Sequence, residues 1–126
     1  MGKYNISEAE WKVMACLWKE SGLSLKDITR RLKYEKWSYS TIRTLVTRLM
    51  DKGIIDADKS SPSNFKYFPV VSEKECKMEE SKSFLTRVFD GSLAMLVSTL
   101  AKDETLSKED VLELKRIIDT MDGGED

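Results

Sequence analysis

"WSYSTIRTLVTRLMDKG", residues 37–53, combines a helix that buries one side with an unusual choice of residues for the other. Ile42, Leu45, Val46, Leu49 and Met50 fall at i, i+3, i+4, i+7 and i+8, the stripe of a helix packed along one face. Ser38 stands where an N-cap belongs and Gly53 where a C′ stop belongs. Solvated helix faces usually carry Glu and Lys. Here the outer side carries Ser40, Thr44 and Thr47, flanked by Thr41, Arg43 and Arg48. Such a surface suits the major groove of DNA, where long carboxylates would be repelled by phosphate. Short hydroxyl side chains permit close approach and hydrogen-bond to bases or phosphate oxygens. Arginine adds a directional donor, bidentate to guanine or paired with phosphate. Asp51 is unfavourable there, but it sits near the C-terminal end, which in this docking mode can be farther from the bases.

Upstream, Ser7 with Glu10 three residues later forms a capping-box start, and Trp11, Met14, Ala15 and Trp18 follow at helical spacing until Gly22. Two tryptophans on one short helix read as core. Ser24 caps a second helix with an apolar line through Leu25, Ile28 and Leu32. Downstream of Gly53 the period changes. Two β-prone runs, Ile54–Asp58 and Phe65–Val71, flank a Ser/Pro/Asn turn, and Pro69 confines the second run to an edge or a strand end. Three short helices closed by a two-stranded hairpin is the layout of a winged helix-turn-helix domain, assigned to residues 1–71. Its wing turn carries Lys59, Ser60, Ser61, Ser63 and Asn64, small polar groups suited to a backbone or minor-groove contact, with Lys66 beside them.

From Ser72 onward the chain reads as helix. Ser72 and Glu75 cap a helix that runs to about Phe89, "DGS" at 90–92 breaks it, and Leu93, Leu96, Val97 and Leu100 mark a second. Ser107 and Asp110 cap a third, with Leu114, Ile117, Ile118 and Met121 on one face; the tail "DGGED" is expected to fray. These helices span 55 residues, marginal for a core of their own. Pairing with a second copy, through Phe84, Val88, Leu93, Leu96, Val97, Leu100, Leu114, Ile117 and Ile118, is the economical way to bury their stripes. Folding back on the first domain is the alternative. The expected fold is therefore mainly α with a small β-hairpin, a winged helix-turn-helix at 1–71 followed by a helical dimerisation and regulatory region at 72–126.

Bulk properties narrow the function. The 126 residues are 40% hydrophobic and 34% charged, suited to a helix-rich globular protein. The formal net charge of −1 conceals an asymmetry, +5 over residues 1–71 and −6 over 72–126, so a polyanion would engage the front half. No apolar run approaches the roughly 18–20 residues of a membrane span, and "MGKYNISEAEW" has no apolar h-region, so a cytoplasmic protein is expected. Histidine is absent, and Cys16 and Cys76 lie far apart. That weighs against a structural zinc and removes the commonest general base and the Ser-His and Cys-His nucleophile pairs. One SxxK string, Ser63-Asn64-Phe65-Lys66, is too short a pattern to carry catalysis and falls in the hairpin. No enzyme, cofactor or metal is expected.

At "EAEWKVMACLW", "WSYSTIRTLVTRLMDKG" and "FKYFPVV" the chain resembles, in order and spacing, the penicillinase-repressor (BlaI/MecI-like) family of bacterial winged-helix repressors. The resemblance continues through "FLTRVFDGS" and "LSKEDVLELKRIID". It implies a dimeric repressor of palindromic operators near β-lactamase or penicillin-binding-protein genes. It further implies a membrane sensor-protease that responds to β-lactam and releases the DNA by cleaving the repressor in its dimerisation region. Copper-responsive members carry a C-terminal Cys-x-Cys motif, which "IDTMDGGED" lacks. Tyr39-Ser40 stand where the resistance branch often has Pro-Lys. The region matching the branch's Asn-Phe cleavage site is "LVSTLAK", which puts the bond at Ser98–Thr99 or Thr99–Leu100 without Asn-Phe. Two rivals stand beside this reading: the same fold sensing a metal or small ligand directly, and a winged helix used only for protein contact.

Overall fold

Ser7 starts the first helix of the computed structural model, which describes residues 3–123. Its hydroxyl accepts from the Glu10 amide while the Glu10 carboxylate accepts from the Ser7 amide, and α1 runs from Glu8 to Lys19. The buried side of α1 is Glu10, Val13, Met14 and Leu17. This corrects the stripe expected from the sequence. Ala15 is exposed, and Trp11 and Trp18 are half-buried at the rim, their rings 5.7 Å apart. The tryptophans misled because each is amphipathic: Trp18 keeps its ring against the core while its indole N–H donates to the Val71 carbonyl at 3.0 Å. The helix also stops short of Gly22. That glycine, at φ +82°, turns the chain so that Leu23 bridges Tyr67 in the hairpin.

Ser24 and Asp27 form a second reciprocal box at the head of α2 (Leu25–Arg31), and a single 3-10 turn, Lys33–Glu35, leads on. The Ser38 hydroxyl accepts from the Thr41 amide to start α3 (Tyr39–Asp51). Its apolar stripe is as read: Ile42, Leu45, Val46 and Leu49 are buried and Met50 half-buried. At the other end Gly53, at φ +75°, donates to the Met50 carbonyl while Ile54 donates to Leu49, a Schellman close. The chain then enters β1 (Ile55–Asp58), which pairs antiparallel with β2 (Lys66–Pro69) in the register Ile55↔Pro69 to Asp58↔Lys66. Pro69 closes β2, where its missing donor disturbs nothing. One core joins these elements, from Val13, Met14 and Leu17 through Ile28, Ile42 and Leu49 to Ile54, Ile55 and Tyr67.

Two compact units divide the chain, Met1–Ser83 and Phe84–Asp126. The first takes in the opening turns of α4 (Glu73–Phe89), where Cys76 is buried. The second holds the end of α4, then α5 (Leu93–Lys102), capped by Ser92, and α6 (Lys108–Gly123), capped by the Ser107–Asp110 box. Asp90 and Gly91, both at positive φ, make the break expected at "DGS". Of the tail read as frayed, residues 124–126 lie outside the described residues, while α6 reaches Gly123. Among the described residues of the second unit none is buried. Leu96, Val97, Leu100 and Leu114 are half-buried, and Leu93, Leu112, Ile118 and Met121 stand 60%, 66%, 56% and 65% exposed. No single described helix is long and apolar enough to cross a membrane.

Candidate nucleic-acid interface

With its stripe locked into the core, α3 turns Ser40, Thr41, Arg43, Thr44, Thr47 and Arg48 to solvent. Its first turn holds no acidic residue. The partial positive charge of the helix N-terminus is therefore uncompensated on its own helix. The hydroxyls are less free than their sequence implies. Thr44 donates to the Ser40 carbonyl at 3.1 Å and Thr47 to the Arg43 carbonyl at 2.8 Å. Ser38 is exposed, but its oxygen is shared between the Thr41 amide and hydroxyl, both at 3.1 Å. Thr44 and Thr47 thus spend their hydroxyl protons within their own helix and keep acceptor lone pairs, which suit base amino groups better than phosphate oxygens.

The wing supplies the second part. Lys59 and Ser60 are exposed, and the Lys59 ammonium lies 5.7 Å from the centre of the Phe65 ring. The Ser60 amide donates to Asp58 at 2.9 Å, holding that carboxyl below its ordinary pKa and the turn in one shape. Lys66 is half-buried, with its ammonium 3.9 Å from Asp27.

Between α2, the start of α3 and the wing runs an open cleft of about 620 Å³. Arg43, Tyr39 and Lys66 line it, together with Lys26 and Arg30, which the sequence reading missed. The signal was present: Lys26 and Arg30 are one helical turn apart on the side of α2 opposite its apolar line. Asp27 is the one carboxylate in the lining. Its pKa is held down first by the Ser24 amide and hydroxyl, and then by Lys66 and Arg30. The cleft is thus cationic, and its acid is already engaged.

Among the described residues no group of three or more His, Cys, Asp or Glu side chains could hold a metal ion. Burial pushes the Cys16 and Cys76 thiols up, away from the reactive thiolate.

The family model described as Penicillinase repressor matches residues 6–120. The chain belongs to that family. It is therefore a winged-helix transcriptional repressor in fold and class, and not an enzyme. It is 39% identical over 116 residues to the methicillin resistance regulatory protein MecI of Staphylococcus aureus strain N315, covering 91% of this chain and 94% of that one. It is 38% identical over 117 residues to the penicillinase repressor of Staphylococcus aureus, covering 92% of each. The solution structure of the DNA-binding domain of the repressor BlaI superposes with a TM-score of 0.52 at 35% identity, covering 60% of this chain and 93% of that one.

Proposed function

We propose that this family member acts as a homodimer on palindromic operator DNA, with residues 1–71 binding DNA and 72–126 joining two copies. In this reading α3 enters the major groove with Ser40, Thr41, Arg43, Thr44, Thr47 and Arg48. Ser38, Lys59, Ser60 and Lys66 hold the backbone, and Lys26 and Arg30 extend that contact along the cleft. The observation that carries it is the outer face of α3, which holds two arginines and a run of hydroxyl residues but no carboxylate before Asp51. Pairing is supported by the second unit, whose described leucines and isoleucines are at best half-buried in one chain. Burying them is worth roughly 25 cal/mol per Å² of apolar surface.

The kinship to MecI and to the penicillinase repressor supports β-lactam resistance genes as the target. In the same reading, as the family resemblance implies, the repressor is inactivated by proteolysis near Ser98, Thr99 and Leu100, performed in the cytoplasm by a membrane sensor-protease. The test is a gel-shift titration against palindromic sequences flanking such genes, with random duplex as competitor, across a salt series. Operator preference over random DNA, with log affinity falling linearly in log salt, is expected. Loss of operator binding at every salt concentration would replace this reading with the protein-contact one.

A further inference from the structure

A lysine that ends a DNA-facing helix is ordinarily read as a phosphate contact. Lys52, the C-cap of α3, is committed elsewhere. Its ammonium donates to Glu10 Oε1 at 2.6 Å and to the Asn5 carbonyl at 2.7 Å. Glu10 belongs to the capping box of α1, and among the described residues it is the one charged side chain that is buried, 1% exposed. The same Oε1 also accepts from the Ser7 amide at 2.7 Å, while Oε2 is buried with no hydrogen-bond partner. One ammonium therefore neutralises a carboxylate that has no access to water.

Two other ion pairs among the described residues join α1 or its C-cap to α2 and the 3-10 turn: Lys12 with Glu35 at 2.5 Å, and Glu20 with Arg31 at 2.6 Å. Both involve groups open to solvent, where such pairs contribute little. The Glu10–Lys52 pair differs because its carboxylate is 1% exposed and takes its cation from the α3 C-terminus. A shift of that end would leave an unpaired charge in the core, which is strongly penalised. The fixed end matters because Arg48 and Thr47 lie within the last turn and a half before it.

We propose that Lys52 is a positioning residue, setting through Glu10 the angle at which α3 meets DNA and thereby operator specificity, without touching DNA itself. This rests on the α3 reading above. Base readout depends on the helix angle, whereas phosphate contacts to random duplex tolerate its change.

The full-length chain would be compared with Lys52→Gln, Lys52→Arg, and Glu10→Gln alone and combined with Lys52→Gln. Affinities for operator and random duplex would be measured over a salt series at a temperature where circular dichroism reports each variant folded. Lys52→Gln should lose about tenfold in operator affinity, the size of one lost base contact, with random-duplex affinity and salt slope unchanged. Lys52→Arg should restore operator affinity, and the double variant should be no worse than Lys52→Gln. Equal weakening on both duplexes with the slope reduced by about one would make Lys52 a phosphate contact and overturn the proposal. A fall in melting temperature with operator affinity intact, in Lys52→Gln or in Glu10→Gln, would reduce the pair to a stabilising one and overturn it equally. Failure of the wild-type chain to prefer operator would instead remove the α3 reading beneath it.

Discussion

On the proposed reading of α3, Arg43 and Arg48 allow two modes of DNA contact to be told apart one residue at a time. Both are exposed, but Arg43 also lines the cationic cleft beside Tyr39 and Lys66, while Arg48 stands in the last turn of α3. For either, an alanine that removes a base contact should cost roughly 1–3 kcal/mol and relax specificity at one position. An alanine that removes a phosphate contact should weaken all sequences alike and lower the salt slope by about one unit. Thr44→Glu places a carboxylate on the face proposed to enter the groove and should abolish binding by charge repulsion with the circular dichroism spectrum intact. Unchanged gel-shift affinity in all three variants would move the DNA surface elsewhere. Glu10 makes a different prediction, in stability. Burial alone would raise its pKa, but Lys52 and the Ser7 amide and hydroxyl together hold it below the ordinary carboxylate value. A group depressed on folding contributes stability that is full above its ordinary unfolded pKa and is lost as the pH falls through the folded value. Thermal melts between pH 7 and pH 3 should show that acid loss in the wild type and a shallower one in Glu10→Gln. Equal slopes would mean that other carboxylates carry the acid sensitivity.

The close of α3 shows at the scale of an element what a sequence can specify. Gly53 was legible as the stop because a left-handed C′ position favours glycine, and the chain adopts φ +75° there. Gly53→Ala meets no atom within 4 Å, so its cost is conformational alone: about 1–2 kcal/mol, read as a lower midpoint in urea. No change in midpoint would mean the Schellman close relaxes freely. The helix starts at Ser7, Ser24, Ser38, Ser72 and Ser107 were legible for a similar reason, since a hydroxyl before a helix has one strong local use. What local rules could not supply is pairing across the chain. The bridge from Leu23 to Tyr67 was invisible because one residue of strand leaves no period. The buried side of α1 was misjudged because Glu10 reads as a solvated cap until Lys52, 42 residues away, is found beside it. The basic side of α2 was overlooked because Lys26 and Arg30 look like an ordinary solvated face until the wing folds against them to form the cleft.

At the scale of the whole molecule the two halves carry opposite charge and unequal cores, and the proposed regulation depends on their being joined. Replacing Leu114 and Ile118 together with alanine should leave the first unit folded and yield monomer at micromolar protein by sedimentation, since a buried Leu→Ala typically costs roughly 2–5 kcal/mol. A wild-type chain that is itself monomeric under those conditions and still binds a palindrome tightly would refute the dimer assignment. A lone winged helix holds one half-site and loses the avidity of two linked modules, roughly 10²–10⁴ in apparent affinity. Cutting near Ser98–Leu100 should therefore release the operator without touching a DNA-contacting residue, because it severs α6 from the rest of the second unit. Ser98 and Thr99 are exposed, but both lie within α5, where the Thr99 hydroxyl donates to the Met95 carbonyl at 2.8 Å. A protease needs that segment opened first, so the cutting rate should follow the local unfolding equilibrium of α5. An engineered protease sequence at 98–100, in a chain first shown to dimerise and bind operator uncut, tests the linkage. Loss of operator affinity on cutting, with random-duplex affinity per winged helix retained, is the expected result. Full operator affinity after complete cutting would mean that separating the copies is not the switch, and a ligand acting directly on the first unit would take its place.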